Sequence, residues 1–148
     1  MRTSTRRVGC AVALLAGVGL LTACGTSSEP TTKPMTDVAV GDCFDADEAF
    51  TTAFVYADCT PPHLYEAFWS EDVTGDEFPG DEAITTLAGA VCDAQFVTFS
   101  GTPVGSGASY ASLFLGPTAE TWAAGDRSIV CVAMPLDGQP KGGSAKAS

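Results

Sequence analysis

The clearest pattern of apolar and polar positions lies between residues 81 and 99, where apolar side chains recur every three or four positions. This spacing places them on one face of an α-helix. Asp81 is suited to the N-cap position, and Glu82 would lie in the first turn, where acidic side chains stabilise a helix. The pattern therefore predicts one main helix. Cys92 lies on its apolar face, so the thiol should point into the core.

Four shorter apolar runs have the length and composition of β-strands. They cover residues 53–57, 65–69, 110–115 and 128–134, and the last run is continuously apolar after Ser128, which predicts the most buried strand. The first two runs are separated by a segment with two consecutive prolines, so we expect these two strands to pair with each other. Strands interrupted by one helix, without regular βαβ alternation, predict an α+β fold with a mostly antiparallel sheet.

The first 23 residues have the pattern of an export signal. Three arginines precede an apolar run of about fourteen residues, which is shorter than the roughly twenty that a membrane-spanning helix needs. The run ends in Leu21, Thr22, Ala23 and Cys24, a series that resembles a bacterial lipobox. In proteins with such a box the cysteine is acylated and becomes the N-terminus of the mature chain. The alternative is an ordinary cleaved signal peptide in which Cys24 carries no lipid.

The lipobox therefore predicts a signal peptide over residues 1–23 and a mature chain that begins at Cys24. Residues 24–34 are rich in Pro, Ser and Thr and lack apolar periodicity, so we interpret them as a lipidated flexible tether. Residues 139–148 have a similar composition and are expected to form a disordered tail. One domain remains over residues 35–138. We expect it to be lipid-anchored at the extracytoplasmic face of the cell membrane.

Charge limits the partners of this domain. The chain has eighteen acidic and seven basic residues, and three of the basic ones lie in the predicted signal peptide. The mature chain then carries a net charge of about −14, which repels nucleic acid and anionic lipid headgroups. Cationic partners remain compatible with this charge. Acidic residues between positions 42 and 48 resemble part of a calcium loop, but the glycine and the terminal glutamate of an EF-hand are missing.

The domain holds four of the six cysteines: Cys43, Cys59, Cys92 and Cys131. An even number in an exported chain predicts two disulfides, and the order of the residues allows three connectivities. We favour Cys43 with Cys59, because they flank a compact hairpin-like stretch, and Cys92 with Cys131, which would join the helix to the last strand. A zinc site is the alternative, but the chain has no C-x-x-C pair and an exported chain lies in an oxidising compartment.

Sequence motifs for catalysis are weak. His63 is the one histidine, and Glu66 follows three residues later. In a strand, residues three apart point to opposite faces, so we predict no shared metal site and interpret His63 as a structural hydrogen-bonding residue. The chain has no G-x-S-x-G motif, and two disulfides would leave the domain without a free thiol nucleophile. The sequence therefore predicts no catalytic residue and no cofactor.

The segment before the last strand contains Trp122, Asp126 and Arg127. Arg127 is the one arginine of the predicted mature chain, and we expect it to form a structural ion pair or to stack on Trp122. Trp122 could belong to the core, or it could anchor a partner, because tryptophan is enriched at interfaces. The sequence does not separate these two roles.

Many of these residues fall into an ordered series along the chain. The series is Gly41, Asp42, Cys43, Phe44, then Cys59, Pro62, His63, Glu66, then Phe78, Pro79, Gly80, Cys92, then Pro117, Trp122, Gly125, Asp126, Arg127 and Cys131. It resembles the septum formation family of actinobacterial exported and membrane-tethered proteins. The glycine-rich segment 101–107 departs from the family pattern. The resemblance implies an exported domain linked by name to cell division, with no catalytic activity and no established ligand.

From these observations we predict a lipid-anchored, non-enzymatic interaction module that contacts a cell-envelope or divisome protein. The candidates for its interaction face are His63, Glu66, Trp122, Asp126 and Arg127. The alternative is a small envelope hydrolase or a ligand-binding lipoprotein that uses His63 and nearby carboxylates. A deep pocket that converges on His63 would favour the alternative.

Overall fold

A computed structural model describes residues 29–147 of the chain. The predicted signal peptide and Cys24 lie outside these residues. The described part forms one antiparallel sheet of six strands, in the order β1-β3-β2-β4-β6-β5. The strands are β1 (Thr31–Pro34), β2 (Cys43–Ala46), β3 (Thr52–Val55), β4 (Tyr65–Asp72), β5 (Tyr110–Leu115) and β6 (Ser128–Pro135). The helices are α1 (Asp81–Ser100) and α2 (Ala119–Ala123), with a 3-10 turn at Met35–Asp37. The predicted α+β fold with one main helix is confirmed.

The predicted pairing of the first two apolar runs is wrong. They form β3 and β4, but β2 lies between them and pairs with both. The sequence did not indicate β2, because this strand has only four residues and includes Asp45. Such a short run lacks the alternation that marks a longer strand.

Helix α1 covers one face of the sheet. It buries Ile84, Ala88, Cys92 and Phe96, which follow the predicted helical spacing. The helix begins after Gly80, which takes the N-cap position that we expected for Asp81. By length and composition alone α1 could cross a membrane. Its buried stripe and its covalent link to β6 instead make it the core helix of this domain.

Both faces of the sheet are apolar. Strand β6 shows this best, because its residues alternate between two separate cores. Ile129 and Cys131 pack with α1 in the first core. Val130 and Val132 pack on the opposite face in the second core. The continuous apolar run that predicted a buried strand therefore reflects burial on two sides.

Two disulfides join the elements. Cys43 at the start of β2 is bonded to Cys59 in the loop before β4, with 5.2 Å between the Cα atoms. Cys92 in α1 is bonded to Cys131 in β6, with 5.3 Å between the Cα atoms. These distances are typical of disulfides. The connectivity favoured from the sequence is confirmed.

Both ends of the domain differ from the sequence-based expectation. Thr31–Pro34, which we assigned to the flexible tether, forms β1 and pairs with β3. The tail expected to be disordered runs back along the domain. There Lys141 and His63 exchange a pair of backbone hydrogen bonds, as in an antiparallel β-bridge. Composition predicted flexibility at both ends. Pairing with distant backbone groups orders them instead, and such pairing leaves no local signal in the sequence.

Candidate functional site

An apolar groove lies on the face of the sheet opposite α1, with a volume of about 460 Å³. Its lining includes Phe44 from β2, Tyr65 from β4, Leu113 from β5, and Val130 and Val132 from β6. This volume lies in the usual range of about 300–1,000 Å³ for binding pockets. The groove exists because no helix covers this face of the sheet in the described part of the chain. It offers a concave apolar surface to a ligand or a partner.

Phe50 forms one side of the groove and has an unusual backbone conformation. Its φ is +53°, and it is the one non-glycine residue with a positive φ in the described part of the chain. Its ring meets Tyr65 edge-on, with 5.7 Å between centroids, and is 48 % exposed. A non-glycine residue in this region costs about 1–3 kcal/mol, and such residues cluster at functional sites. This backbone conformation places the aromatic ring of Phe50 at the edge of the groove, partly in solvent.

The carboxylate of Asp47 stabilises this conformation of Phe50. It accepts hydrogen bonds from the backbone N–H and the hydroxyl of Thr51, at 2.7 and 2.6 Å, and one from the backbone N–H of Thr52. These bonds, with that of the Thr51 hydroxyl largest, lower the pKa of Asp47 below its usual value. Asp47 therefore has a structural role that the calcium-loop comparison did not predict.

The aromatic floor of the groove is neutral. The ring of Tyr65 packs against Phe44, with 5.4 Å between centroids. Burial, and secondarily the charge of Asp45, raises the pKa of Tyr65 above its usual value. Tyr56 donates a hydrogen bond to Asp45 at 2.8 Å, and this bond raises the pKa of Tyr56. Both tyrosines are therefore protonated at neutral pH, and Tyr65, the one that lines the groove, adds no tyrosinate charge to it.

One end of the groove is polar and acidic. Asp126 lines this end, and its Oδ1 accepts hydrogen bonds from the backbone N–H and the hydroxyl of Ser128, both at 3.0 Å. Thr118 and Thr121 line the same end and cap α2. None of the described residues that line the groove is a lysine, an arginine or a histidine. The groove therefore combines an apolar floor with one carboxylate that has no basic neighbour in the lining.

Trp122 and Arg127 serve the core. Trp122 is buried and donates a hydrogen bond from Nε1 to the Asp76 carbonyl. The guanidinium of Arg127 lies 3.8 Å from the centroid of the Trp122 ring, which is the stacking arrangement that the sequence suggested. It also donates hydrogen bonds to the backbone carbonyls of Trp122 and Asp126. Of these three neighbouring residues, Asp126 is the one that reaches the groove.

His63 and Glu66 are both buried, and the prediction that they point apart is wrong. Their side chains meet, together with those of Cys43 and Cys59, and one ligand atom of each residue lies within 4.8 Å of those of the other three. The reason is that β4 begins at Tyr65, so His63 precedes the strand and strand alternation does not apply to it. Neither His63 nor Glu66 lines the apolar groove.

Most residues of the groove were not predicted from the sequence. Phe50 gave no signal, because a left-handed conformation at a phenylalanine follows from the turn that Asp47 organises. Leu113 carried a usable signal, since alternation along β5 places it on the face away from α1. A sheet with apolar residues on both faces and only one long helix leaves one face without a helical cover. The number of predicted helices and the apolar strands together therefore indicate a groove on that face.

Comparison with known proteins identifies the family of the chain. A family model described as septum formation matches residues 40–146, which is most of the chain. A search of curated proteins and a search of solved structures each returned no match. The match covers the apolar groove apart from residues 35 and 36, and it covers both disulfides. This chain belongs to the septum formation family.

Proposed function

We propose that this protein is a lipid-anchored, non-enzymatic interaction module at the extracytoplasmic face of the cell membrane. Its groove would bind an apolar segment, flanked by basic residues, of a cell-envelope or cell-division protein. The observation that carries the proposal is the open apolar groove itself. Burying apolar surface in such a groove gives about 25 cal/mol for each Å² removed from water. Aromatic residues such as Phe50, which stands half exposed at the edge, often anchor partners.

The charge of the domain supports a basic partner. Eighteen acidic residues lie in the described part of the chain, against four basic ones. Three of the basic residues are already engaged: Lys33 with Asp42, Lys141 with Asp137, and Arg127 on Trp122. The acidic surface is therefore largely uncompensated. It would attract a basic segment and repel anionic lipids and nucleic acid.

Two further observations support the cellular context. The family assignment links the chain to septum formation or to the cell envelope. The lipobox at Cys24 precedes β1 by seven residues, which span at most about 25 Å when extended. A lipid at Cys24 would therefore hold the domain, and with it the groove, close to the membrane surface.

The alternative function, a small hydrolase or ligand-binding lipoprotein that uses His63, receives less support. A deep pocket that converges on His63 would favour it, but His63 is only 5 % exposed and does not line the groove. Glu66, a carboxylate that lies close to His63, is 6 % exposed and hydrogen-bonded to the C-terminal segment. Substrate would have to displace this segment to reach either residue.

A photo-crosslinking experiment tests the proposal in the native cell. A photoreactive amino acid replaces Leu113, which is 38 % exposed in the groove. In the control it replaces Leu136, which is 60 % exposed and does not line the groove. We expect position 113, and not position 136, to form adducts with an envelope or division protein. The crosslinked site on that partner should be an apolar segment flanked by basic residues. The same adducts from both positions would contradict a groove-specific interaction.

Leu113→Asp and Cys24→Ala separate the groove from the anchor, with Leu136→Asp as the control. Leu113→Asp places a charge on the apolar floor, and we expect it to abolish the adducts from a photoreactive group at position 115, whereas Leu136→Asp should preserve them. Cys24→Ala should release the protein from the membrane fraction and weaken the crosslinks by lowering the local concentration of the domain. Retention of Cys24→Ala in the membrane would count against the lipid anchor.

A further inference from the structure

A compact cluster of metal-ligand side chains lies away from the groove. It consists of Cys43 at the start of β2, Cys59 and His63 in the loop before β4, and Glu66 in β4. One sulfur, nitrogen or oxygen atom from each residue lies within 4.8 Å of the others. Three of the four residues are buried, and Cys59 is half-buried. The disulfide between Cys43 and Cys59 at present occupies the two sulfurs.

The ring of His63 is held in the tautomer that metal-binding histidines use. Its Nδ1 lies 2.8 Å from the carbonyl oxygen of Pro61. A carbonyl oxygen only accepts hydrogen bonds, so Nδ1 carries the proton when the ring is neutral, and Nε2 keeps a lone pair. Nε2 has no hydrogen-bond partner among residues 29–147. A hydrogen bond from Nδ1 to a backbone carbonyl is the usual way in which proteins fix such a ligand.

Glu66 is oriented by two hydrogen bonds of its own. Its Oε1 accepts a bond from the hydroxyl of Ser144, and its Oε2 accepts one from the backbone N–H of Ala145, both at 2.6 Å. Within the described part of the chain Glu66 has no salt bridge with a lysine, an arginine or a histidine. A buried carboxylate without a cationic partner is costly. A cation in the cluster would remove this cost.

The two disulfides differ in accessibility. Cys92 and Cys131 are 1 % and 0 % exposed under α1. Cys59 lies in a surface loop and is half-buried, so its bond with Cys43 is the one that a small dithiol reaches without unfolding of the core.

We propose that reduction of the Cys43–Cys59 disulfide by a dithiol converts this cluster into a zinc site. The dithiol becomes a disulfide and gives two electrons and two protons to the cysteines. Zn²⁺ then replaces both thiol protons, which leave to the solvent. Its four ligands are the Sγ atoms of Cys43 and Cys59, Nε2 of His63 and a carboxylate oxygen of Glu66. Two thiolates, one imidazole and one carboxylate form a ligand set that zinc accepts in tetrahedral geometry.

The geometry requires small movements. Ligand bonds of about 2.0–2.3 Å place the atoms around a tetrahedral zinc roughly 3.3–3.8 Å apart. One donor atom of each residue already lies within 4.8 Å of the others, so the distances between donor atoms shorten by up to roughly 1–1.5 Å while the two sulfurs separate. The metal would then link β2 to the loop before β4 in place of the covalent bond. The oxidised form offers only His63 and Glu66 and binds zinc weakly.

The test uses the full chain with Cys10→Ser and Cys24→Ser, so that only the four domain cysteines remain. The protein is first reduced with a dithiol, and the dithiol is then removed under anaerobic conditions. The reduced protein is titrated with Zn²⁺ in competition with a coloured chelator, or with Co²⁺ alone. We expect one metal ion per reduced chain, a thiolate-to-cobalt charge-transfer band and a higher unfolding temperature with zinc. Oxidised protein should show none of these. Cys43→Ser with Cys59→Ser, which keeps the buried Cys92–Cys131 bond, is the matched control and should bind no zinc tightly after the same treatment.

Three variants distinguish a built site from loose binding by thiols. His63→Gln and Glu66→Gln each remove a ligand, and Ser144→Ala removes a bond that orients Glu66. Loss of such an orienting bond typically weakens metal binding about 10- to 100-fold, and loss of a ligand should weaken it more. Zinc affinity that does not depend on His63 and Glu66 would overturn the proposal, as would a reduced chain that binds no better than Cys43→Ser with Cys59→Ser.

Discussion

The two disulfides should stabilise the fold unequally, and this difference can be calculated from their positions. Cys43 and Cys59 are 16 residues apart, and Cys92 and Cys131 are 39 residues apart. A cross-link stabilises mainly by restricting the unfolded chain, and the effect grows with the length of the closed loop. The corresponding contributions are about 3 kcal/mol for the short loop and about 4 kcal/mol for the long one.

Burial increases the difference. Cys92 and Cys131 are almost completely buried between α1 and the sheet, where they pack with Ile84 and Phe96. Replacing both with alanine removes two sulfur atoms and leaves a cavity under the helix, which costs roughly 1–2 kcal/mol more. Cys43 is as buried as Cys92, but its partner Cys59 lies in a surface loop that can adjust, so this pair leaves a smaller cavity. We therefore expect the free energy of unfolding to fall by about 5–6 kcal/mol for the Cys92–Cys131 pair and by about 3–4 kcal/mol for the Cys43–Cys59 pair.

Urea unfolding of the full chain with Cys10→Ser and Cys24→Ser measures both losses. Trp122 is a suitable fluorescence probe, because it is buried against Arg127 and becomes solvated on unfolding. Removing a cross-link also makes the unfolded state less compact, so the slope of the free energy with urea should rise. The free energies extrapolated to water are therefore compared, and not the midpoints alone.

The ranking is the decisive result. If the Cys43→Ala/Cys59→Ala chain loses as much stability as the Cys92→Ala/Cys131→Ala chain, or more, then loop length and burial do not govern these disulfides. Since small domains have about 5–15 kcal/mol of total stability, the variant of the buried pair should lie near the limit of folding at room temperature. A buried-pair variant with wild-type stability would refute the assignment of that disulfide to the core.

Three further predictions concern single residues. Ser144→Ala should lower the free energy of unfolding in urea by about 1–3 kcal/mol, because it takes a hydrogen-bond donor away from a buried oxygen of Glu66; an unchanged free energy would mean that the C-terminal segment does not pack there. Gly89→Ala should stabilise α1 by about 0.5–1 kcal/mol, since a Cβ at this position meets nothing within 4 Å, and a loss would show a hidden contact. Asp47→Asn should destabilise the turn at Phe50 only where Asp47 is ionised. Because folding lowers this pKa, the contribution of the carboxylate is present above its ordinary value of 3.8 and is lost as the pH falls below that value. The unfolding temperatures of wild type and variant should therefore converge in acid, and a constant difference at all pH values would contradict this role.

Much of the fold follows from local patterns that the sequence shows directly. The spacing of Ile84, Ala88, Cys92 and Phe96 predicted α1, because helical periodicity depends only on nearby residues. The apolar run of β6 predicted its burial for the same reason. The favoured disulfide connectivity was correct because one pair closes a short loop and the other joins a core-facing helix residue to a buried strand.

Other features required knowledge of which distant segments meet. Strand β2 carries a weak local signal, and its position between β3 and β4 follows from hydrogen bonding to both. The meeting of His63 with Glu66 depends on where β4 begins, and a shift of one or two residues in a strand boundary changes which side chains face each other. The C-terminal segment gains its order from Glu66, which lies 78 residues away from Ser144.

The sequence by itself determined the helix, the number of disulfides, the acidic charge and the family of this protein. These properties depend on residue types and on short spacings, which are written along the chain. Only the tertiary structure decided the groove, whose walls come from β2, β4, β5 and β6, and the cluster around His63 and Glu66. Both sites depend on sheet order and register, and these arise from long-range backbone pairing that no local pattern encodes.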